Sequence, residues 1–423
     1  MSPDGASIHP VDTEAIQRRT LRTLICGVVP AGAAMTSAYS ASAVLGEELT
    51  GSETYGALAA ACLTVGSALA TLPLARLMAI RGRRPGIVAG YTTAVLGALI
   101  AASAAVTGFY ALLPLGMLGV GAGNAANLAA RYAAADLAPE EGRARTIGNL
   151  VWSSTIGAVL GPTIGLGPAR HLGGILGGGE LVGPYLAAAV LFTIAGFVVY
   201  RWLRPDPLSV VGGTEFDTGS RVPFRVAFRS LAASGPGRLA VGSMVAGQVV
   251  MVAVMTMTPL HMKDGGHQLE LIGFVISLHI IGMYALSPLV GWLTDRIGPR
   301  PVIAVGGIML IVGAEFASHT DPEHSTGVFT GLFLIGLGWS FGLVASSSLI
   351  AATFQGLQRV RVQGLADLMM TAAGGLAGLG SGLVVSLTDF RTLSHYSGIL
   401  GLYPTAAVLI VSLVERRTGA YQA

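Results

Sequence analysis

The sequence predicts an all-α polytopic membrane protein: twelve transmembrane helices arranged as two pseudo-symmetric six-helix bundles. Three observations carry this expectation. Of 423 residues, 52% are hydrophobic and only 11% are charged, where soluble domains carry about 25% charged residues. Apolar runs longer than about 18 residues recur along the whole length, which is the signature of spanning helices. The longest polar interruption, residues 204–237, falls midway and divides the runs six and six.

The first six spans fall near 23–46, 55–80, 86–107, 109–135, 146–168 and 182–202, and the second six near 238–262, 271–293, 301–318, 325–353, 362–387 and 396–414. The polar start, to Arg22, has no apolar core followed by a cleavage site, so the first run is expected to remain as an anchor. Residues 1–203 then form one bundle, 204–237 a linker and 238–423 the second bundle. Cys26 and Cys62 both lie in apolar runs and form neither a disulfide framework nor a zinc motif.

Charge sets the expected orientation. Of 25 Lys and Arg residues, only Arg170, Lys263 and Arg391 fall in the loops of one side. The others lie on or near the opposite side with both termini, which the positive-inside rule makes cytoplasmic. A multi-pass protein of the cell membrane with both termini inside is expected. In the linker, Arg221, Arg225 and Arg229 are spaced by four with Phe224 and Phe228 between them. That pattern fits a solvated linker or a short basic amphipathic helix lying on an anionic leaflet.

The halves read as copies. A shift of 216 positions carries Gly82 onto Gly298, Arg84 onto Arg300, Pro85 onto Pro301 and Gly90 onto Gly306 without a gap. Parallel six-helix repeats of this kind are a standard transporter plan. In the seventh span Met251 and Met255 stand four apart, and in the eighth His279 and Met283 repeat the spacing. On helices each pair faces one way, near the middle of its span. Three thioethers and an imidazole at one depth suit a soft cation such as Cu(I). The repeat shift places Met35 of the first span on Met251, which makes it a candidate auxiliary donor. His279 itself reads three ways: a metal ligand, a hydrogen bond to a neighbouring helix, or a proton carrier near neutral pH.

After the eighth span, Gly291, Asp295, Arg296, Gly298 and Arg300 spell GxxxDRxGxR. With this signature the chain resembles the major facilitator superfamily over its whole length. The acid and guanidinium are expected to lock neighbouring helix ends in one conformational state. In the equivalent first-half turn, Ala75, Ala79 and Ile80 replace the glycine, the acid and the first arginine, and Asp136 is left to pair with Arg83 or Arg84. In the fifth span Gly157, Gly161, Pro162 and Gly165 read GxxxGPxxG. This resembles a motif of drug/proton antiporters and equally reads as close helix packing with a bend.

The MxxxM and HxxxM pairs, with 28 residues from Met251 to His279, resemble the CcoA-like copper importers within that superfamily. The resemblance implies that Met251, Met255, His279 and Met283 handle copper on its way to the cytoplasm by alternating access. The alternative is a proton-coupled exporter of small organic molecules or drugs, in which the methionines line an adaptable apolar cavity. No GxxxxGK phosphate loop is present and the loops have no room for a catalytic domain, so neither ATP-driven transport nor an enzyme is expected. Copper would be cargo and no cofactor is expected. Membrane lipid and a small-molecule or metal-ion substrate are the expected partners, without nucleic acid, and the protein is expected to be a monomer.

Overall fold

The computed structural model describes residues 12–175, 179–214 and 223–418. Among the described residues are twelve helices long and apolar enough to cross a membrane. In the first half these are α1 (Thr13–Thr50), α2 (Thr54–Arg81), α3 (Arg83–Thr107), α4 (Leu112–Ala135), α5 (Glu140–Ile175) and α6 (Val182–Trp202). In the second half they are α7 (Gly235–Asp264), α8 (Leu271–Ile297), α9 (Pro299–Ser318), α10 (Thr326–Thr353), α11 (Gly356–Leu387) and α12 (Phe390–Leu413). Helices satisfy every backbone group internally, which hydrocarbon demands. The first helix starts at Thr13 and not near residue 23, because the Asp12 carboxylate accepts from the Ala15 N–H at 2.9 Å and caps the polar first turns.

The repeat is visible in the turns. Gly82 (φ 98°) ends α2 and Gly298 (φ 85°) ends α8, both in the left-handed region that favours glycine. Buried apolar residues divide into two cores. One holds residues of α1 to α6 with Leu208 of the linker and Val360, and the other gathers α7 to α12 with Ala227 and Leu231 of the linker and a few residues from the ends of α4 and α5. The GxxxGPxxG glycines press α5 against α1. A Cβ on Gly157 would lie 2.8 Å from the Val29 carbonyl, and one on Gly161 would lie 1.8 Å from the Thr36 hydroxyl. That hydroxyl donates to the Gly157 carbonyl at 3.2 Å. The helix is then kinked at Gly167, whose φ of −104° and ψ of −107° are not helical.

The halves are joined at the end that carries the linker, called the linker end below. Two helix pairs related by the 216-residue shift, α8 with α5 and α2 with α11, meet there through glycine. A Cβ on Gly148 would stand 2.2 Å from the Ser287 carbonyl, one on Gly291 2.4 Å from that of Ala144, and one on Gly364 2.4 Å from the Ala75 methyl. Open space lies beside Gly273 of α8 and Gly380 of α11, farther from this end.

Buried charges reinforce the closure. Arg131 of α4 pairs with Asp367 of α11, and its Nε donates to the Ser347 hydroxyl of α10 at 3.0 Å. Arg83 binds Asp136 through two hydrogen bonds of 2.8 and 3.1 Å and donates to Gln363 of α11 at 2.7 Å. The Arg83 and Asp136 side chains are 1% and 3% exposed, so this pair lies beyond the weak regime of surface ion pairs. Removing one partner of a buried pair strands the other and costs about 3–5 kcal/mol. Asp136→Ala is therefore expected to lower the melting temperature of the detergent-purified protein by several degrees. An unchanged melting temperature would contradict the pairing.

Candidate functional site

The eighth helix supplies the most unusual side chain in the membrane. His279 is fully buried, and its Nδ1 lies 2.7 Å from the Leu332 carbonyl of α10. A carbonyl only accepts, so Nδ1 carries the proton, and in a neutral ring Nε2 then presents its lone pair. That Nε2 is buried without a hydrogen-bond partner. The contact fits because α10 has Gly336 one turn on from Leu332: a Cβ there would lie 3.1 Å from His279 Nδ1 and 3.2 Å from the Met283 N–H nitrogen.

Met283, 7% exposed, sits in a π-helical turn at Ile281–Ala285. Such a turn inserts one residue into the helical register and is frequent at functional sites. It leads into Tyr284, whose ring packs edge-on against Trp339 of α10 at 5.8 Å. Trp339 donates its indole N–H to Gln248 of α7 at 2.7 Å. Helix α10 is thus the common wall on which α7 and α8 lean.

On α7, Met251 is buried in the same apolar core as Met283, and Met255 packs against that core half-buried. Met255 lies nine residues before Asp264 and His279 eight after Leu271; Met251 and Met283 lie thirteen and twelve from those ends. At about 1.5 Å per residue all four sit roughly 12–20 Å from the far end, near the middle of a hydrocarbon layer about 30 Å thick. Met35 packs instead against the first-half core. Among the described residues, no group of three or more His, Cys, Asp or Glu side chains is arranged to hold a metal ion. Any metal chemistry at mid-depth therefore rests on thioethers and the one imidazole. At the far end, His319 and His395 instead face the Glu315 carboxylate at 3.4 and 2.9 Å.

The signature turn does span the halves. The Asp295 carboxylate accepts from the N–H groups of Ala144 and Arg145, both at 2.9 Å, at the start of α5. An acid at a helix N-terminus meets unpaired donors and the positive end of the dipole. Gly291 permits this approach, Gly298 makes the turn, Arg300 follows as the second residue of α9, and the Arg296 guanidinium lies 5.2 Å over the Trp292 ring. In the first half Ala79 stands where the acid would be, and Arg83, held by Asp136, reaches α11 through Gln363 instead. Asp206 of the linker caps α3 by accepting from Arg83 and Arg84 N–H at 3.1 and 2.8 Å.

The pairing of Arg131 with Asp367 and the parts played by Gln363 and Leu332 are not evident from the spans and motifs of the sequence. One signal was present: Arg131 and Ser347 are related by the 216-residue shift that relates the halves, so a residue near the pseudo-twofold axis can meet its own counterpart. Asp295→Asn keeps one acceptor for the α5 terminus and loses the charge. The expected outcome is an altered transport rate at nearly constant apparent affinity; a changed affinity with normal turnover would contradict the lock.

A family model described as "Major Facilitator Superfamily" matches residues 24–270 and 239–420. The uncharacterized MFS-type transporter YdeG of Bacillus subtilis (strain 168) is 33% identical over 398 residues, covering 93% of this chain and 92% of its own. The riboflavin transporter RfnT of Brucella anthropi is 24% identical over 382 residues, covering 89% and 90%. Among solved structures, the human organic anion transporter MFSD10 superposes with a TM-score of 0.77 at 15% identity, covering 95% of this chain and all of that one; this similarity speaks for the fold alone.

Proposed function

The chain belongs to the major facilitator superfamily, and from that membership we propose that it is a secondary transporter importing Cu(I) through Met251, Met255, His279 and Met283. Its relatives are named as transporters, and transport by this family is not enzymatic. The fold leaves the cargo open, so the cargo is argued from the site.

The observation that carries the reading is the unpartnered Nε2 lone pair of His279, fully buried and held in one tautomer by the Leu332 carbonyl. A histidine that donates one ring N–H to a backbone carbonyl and keeps the other nitrogen free has the arrangement of a metal ligand with its orienting partner. Thioethers and neutral imidazole are soft or borderline donors that lose no proton on binding, so capture and release do not depend on moving one. The positive-inside count makes the linker end cytoplasmic. The state described is then closed toward the cytoplasm, and import proceeds when the Arg131–Asp367, Arg83–Gln363 and Asp295 contacts part and the two bundles rock about the midplane.

A second reading draws on a different observation. Trp339, Tyr284 and Gln248 form an aromatic and amide group at the junction of α7, α8 and α10, suited to a flat organic solute, and one relative is named a riboflavin transporter. The two readings separate by mutation. Copper-64 uptake and total cell copper are measured in cells expressing the wild type, His279→Ala, Met251→Leu or Trp339→Ala at equal membrane levels. The copper reading expects accumulation by the wild type, reduced about tenfold or more in the first two variants. Uptake of riboflavin abolished by Trp339→Ala and unaffected by Met251→Leu, with copper at the empty-vector level throughout, would replace copper by the organic solute.

A further inference from the structure

The linker contains a helix, Phe224–Ala233, that folds back over the linker end of the bundle. Its inner face is fixed. Ala227 is fully buried, Leu231 is 5% exposed and lies 3.1 Å from where a Cβ on Gly237 of α7 would stand, and the Phe224 ring lies 4.6 Å beneath the Arg361 guanidinium of α11. Its outer face is open. Phe228 and Val226 are 53% and 46% exposed, and Arg225 and Arg229, four apart on one side, are exposed beside them.

We propose that this outer face, Arg225, Phe228 and Arg229, is a binding surface for the headgroups of anionic phospholipids. Three features point to that occupant. The helix ends at Ser234, whose extended backbone turns the chain directly into the membrane helix α7 at Gly235, so it sits at the depth of the lipid headgroups. Exposed apolar rings flanked by cations are costly in water and favourable at a membrane interface. No acidic residue occurs between Pro223 and Arg238 to neutralise the arginines, and a guanidinium matches the phosphate diester in charge and in its forked donors. Arg221, which continues the spacing, lies outside the described residues.

The test uses the purified full chain exchanged into micelles containing phosphatidylglycerol or phosphatidylcholine, with retained lipid counted by native mass spectrometry. The wild type is expected to retain phosphatidylglycerol in preference. Arg225→Gln with Arg229→Gln is expected to reduce that preference roughly tenfold, with an unchanged melting temperature. Arg18→Gln with Arg19→Gln, at another exposed basic site of the same end, is expected to leave it intact. Equal retention of the two lipids by the wild type, or an equal loss in both double variants, would overturn the assignment.

Discussion

Closure of one end by buried, shape-matched contact between the halves is the constraint on which the remaining architecture depends. Two helices approach this closely only where glycine faces backbone, as Gly148 faces Ser287 and Gly291 faces Ala144. Ions sealed in that contact must then be fully paired, because their desolvation is offset only by good geometry and satisfied hydrogen bonds. Arg131 meets this condition with Asp367, Ser347, Tyr132 and the Leu128 carbonyl, and Arg83 meets it with Asp136 and Gln363. Packed interfaces of this kind switch between discrete arrangements and do not deform continuously. That is the property alternating access requires.

The interface is built asymmetrically on a symmetric plan. In the second half one carboxylate, Asp295, joins the halves by capping α5. In the first half the same task falls to a relay in which Asp136 orients Arg83 and Arg83 binds Gln363, while the linker's Asp206 takes over the helix terminus of α3. With Ala79 in place of an acid, the first-half contact between the halves is spread over α3, the end of α4 and α11. The midplane is organised by a comparable economy: one backbone carbonyl, Leu332, fixes the tautomer of His279, and Met283 lies in the π-helical turn that follows.

Periodicity and charge bias made the membrane fold legible because a bilayer imposes length and apolarity on every span. All twelve helices were legible, and the superfamily followed from the turn at Gly291 to Arg300. Helix starts were less so: Thr13–Arg22 is polar, and its helicity depends on the Asp12 cap and not on hydropathy. The pairing of Asp136 with Arg83 could be named as an option, but its burial depends on how α3, α4 and α11 converge, which no local pattern encodes. Arg131 and Asp367 are 236 residues apart, and only packing brings them together. At the candidate site, the four residue types and their positions along α7 and α8 were readable from spacing. The free nitrogen of His279 was not, since it depends on a carbonyl 53 residues away and on the absence of a side chain at Gly336.

A soft-donor site containing His279 leaves a signature in X-ray absorption at the copper edge, measured on Cu(I)-loaded protein in which Cys26 and Cys62 are replaced by serine. One copper per chain with both sulfur and nitrogen neighbours is expected, with loss of the nitrogen contribution in His279→Ala. Copper surrounded only by oxygen and nitrogen, or a spectrum unaltered by His279→Ala, would contradict it.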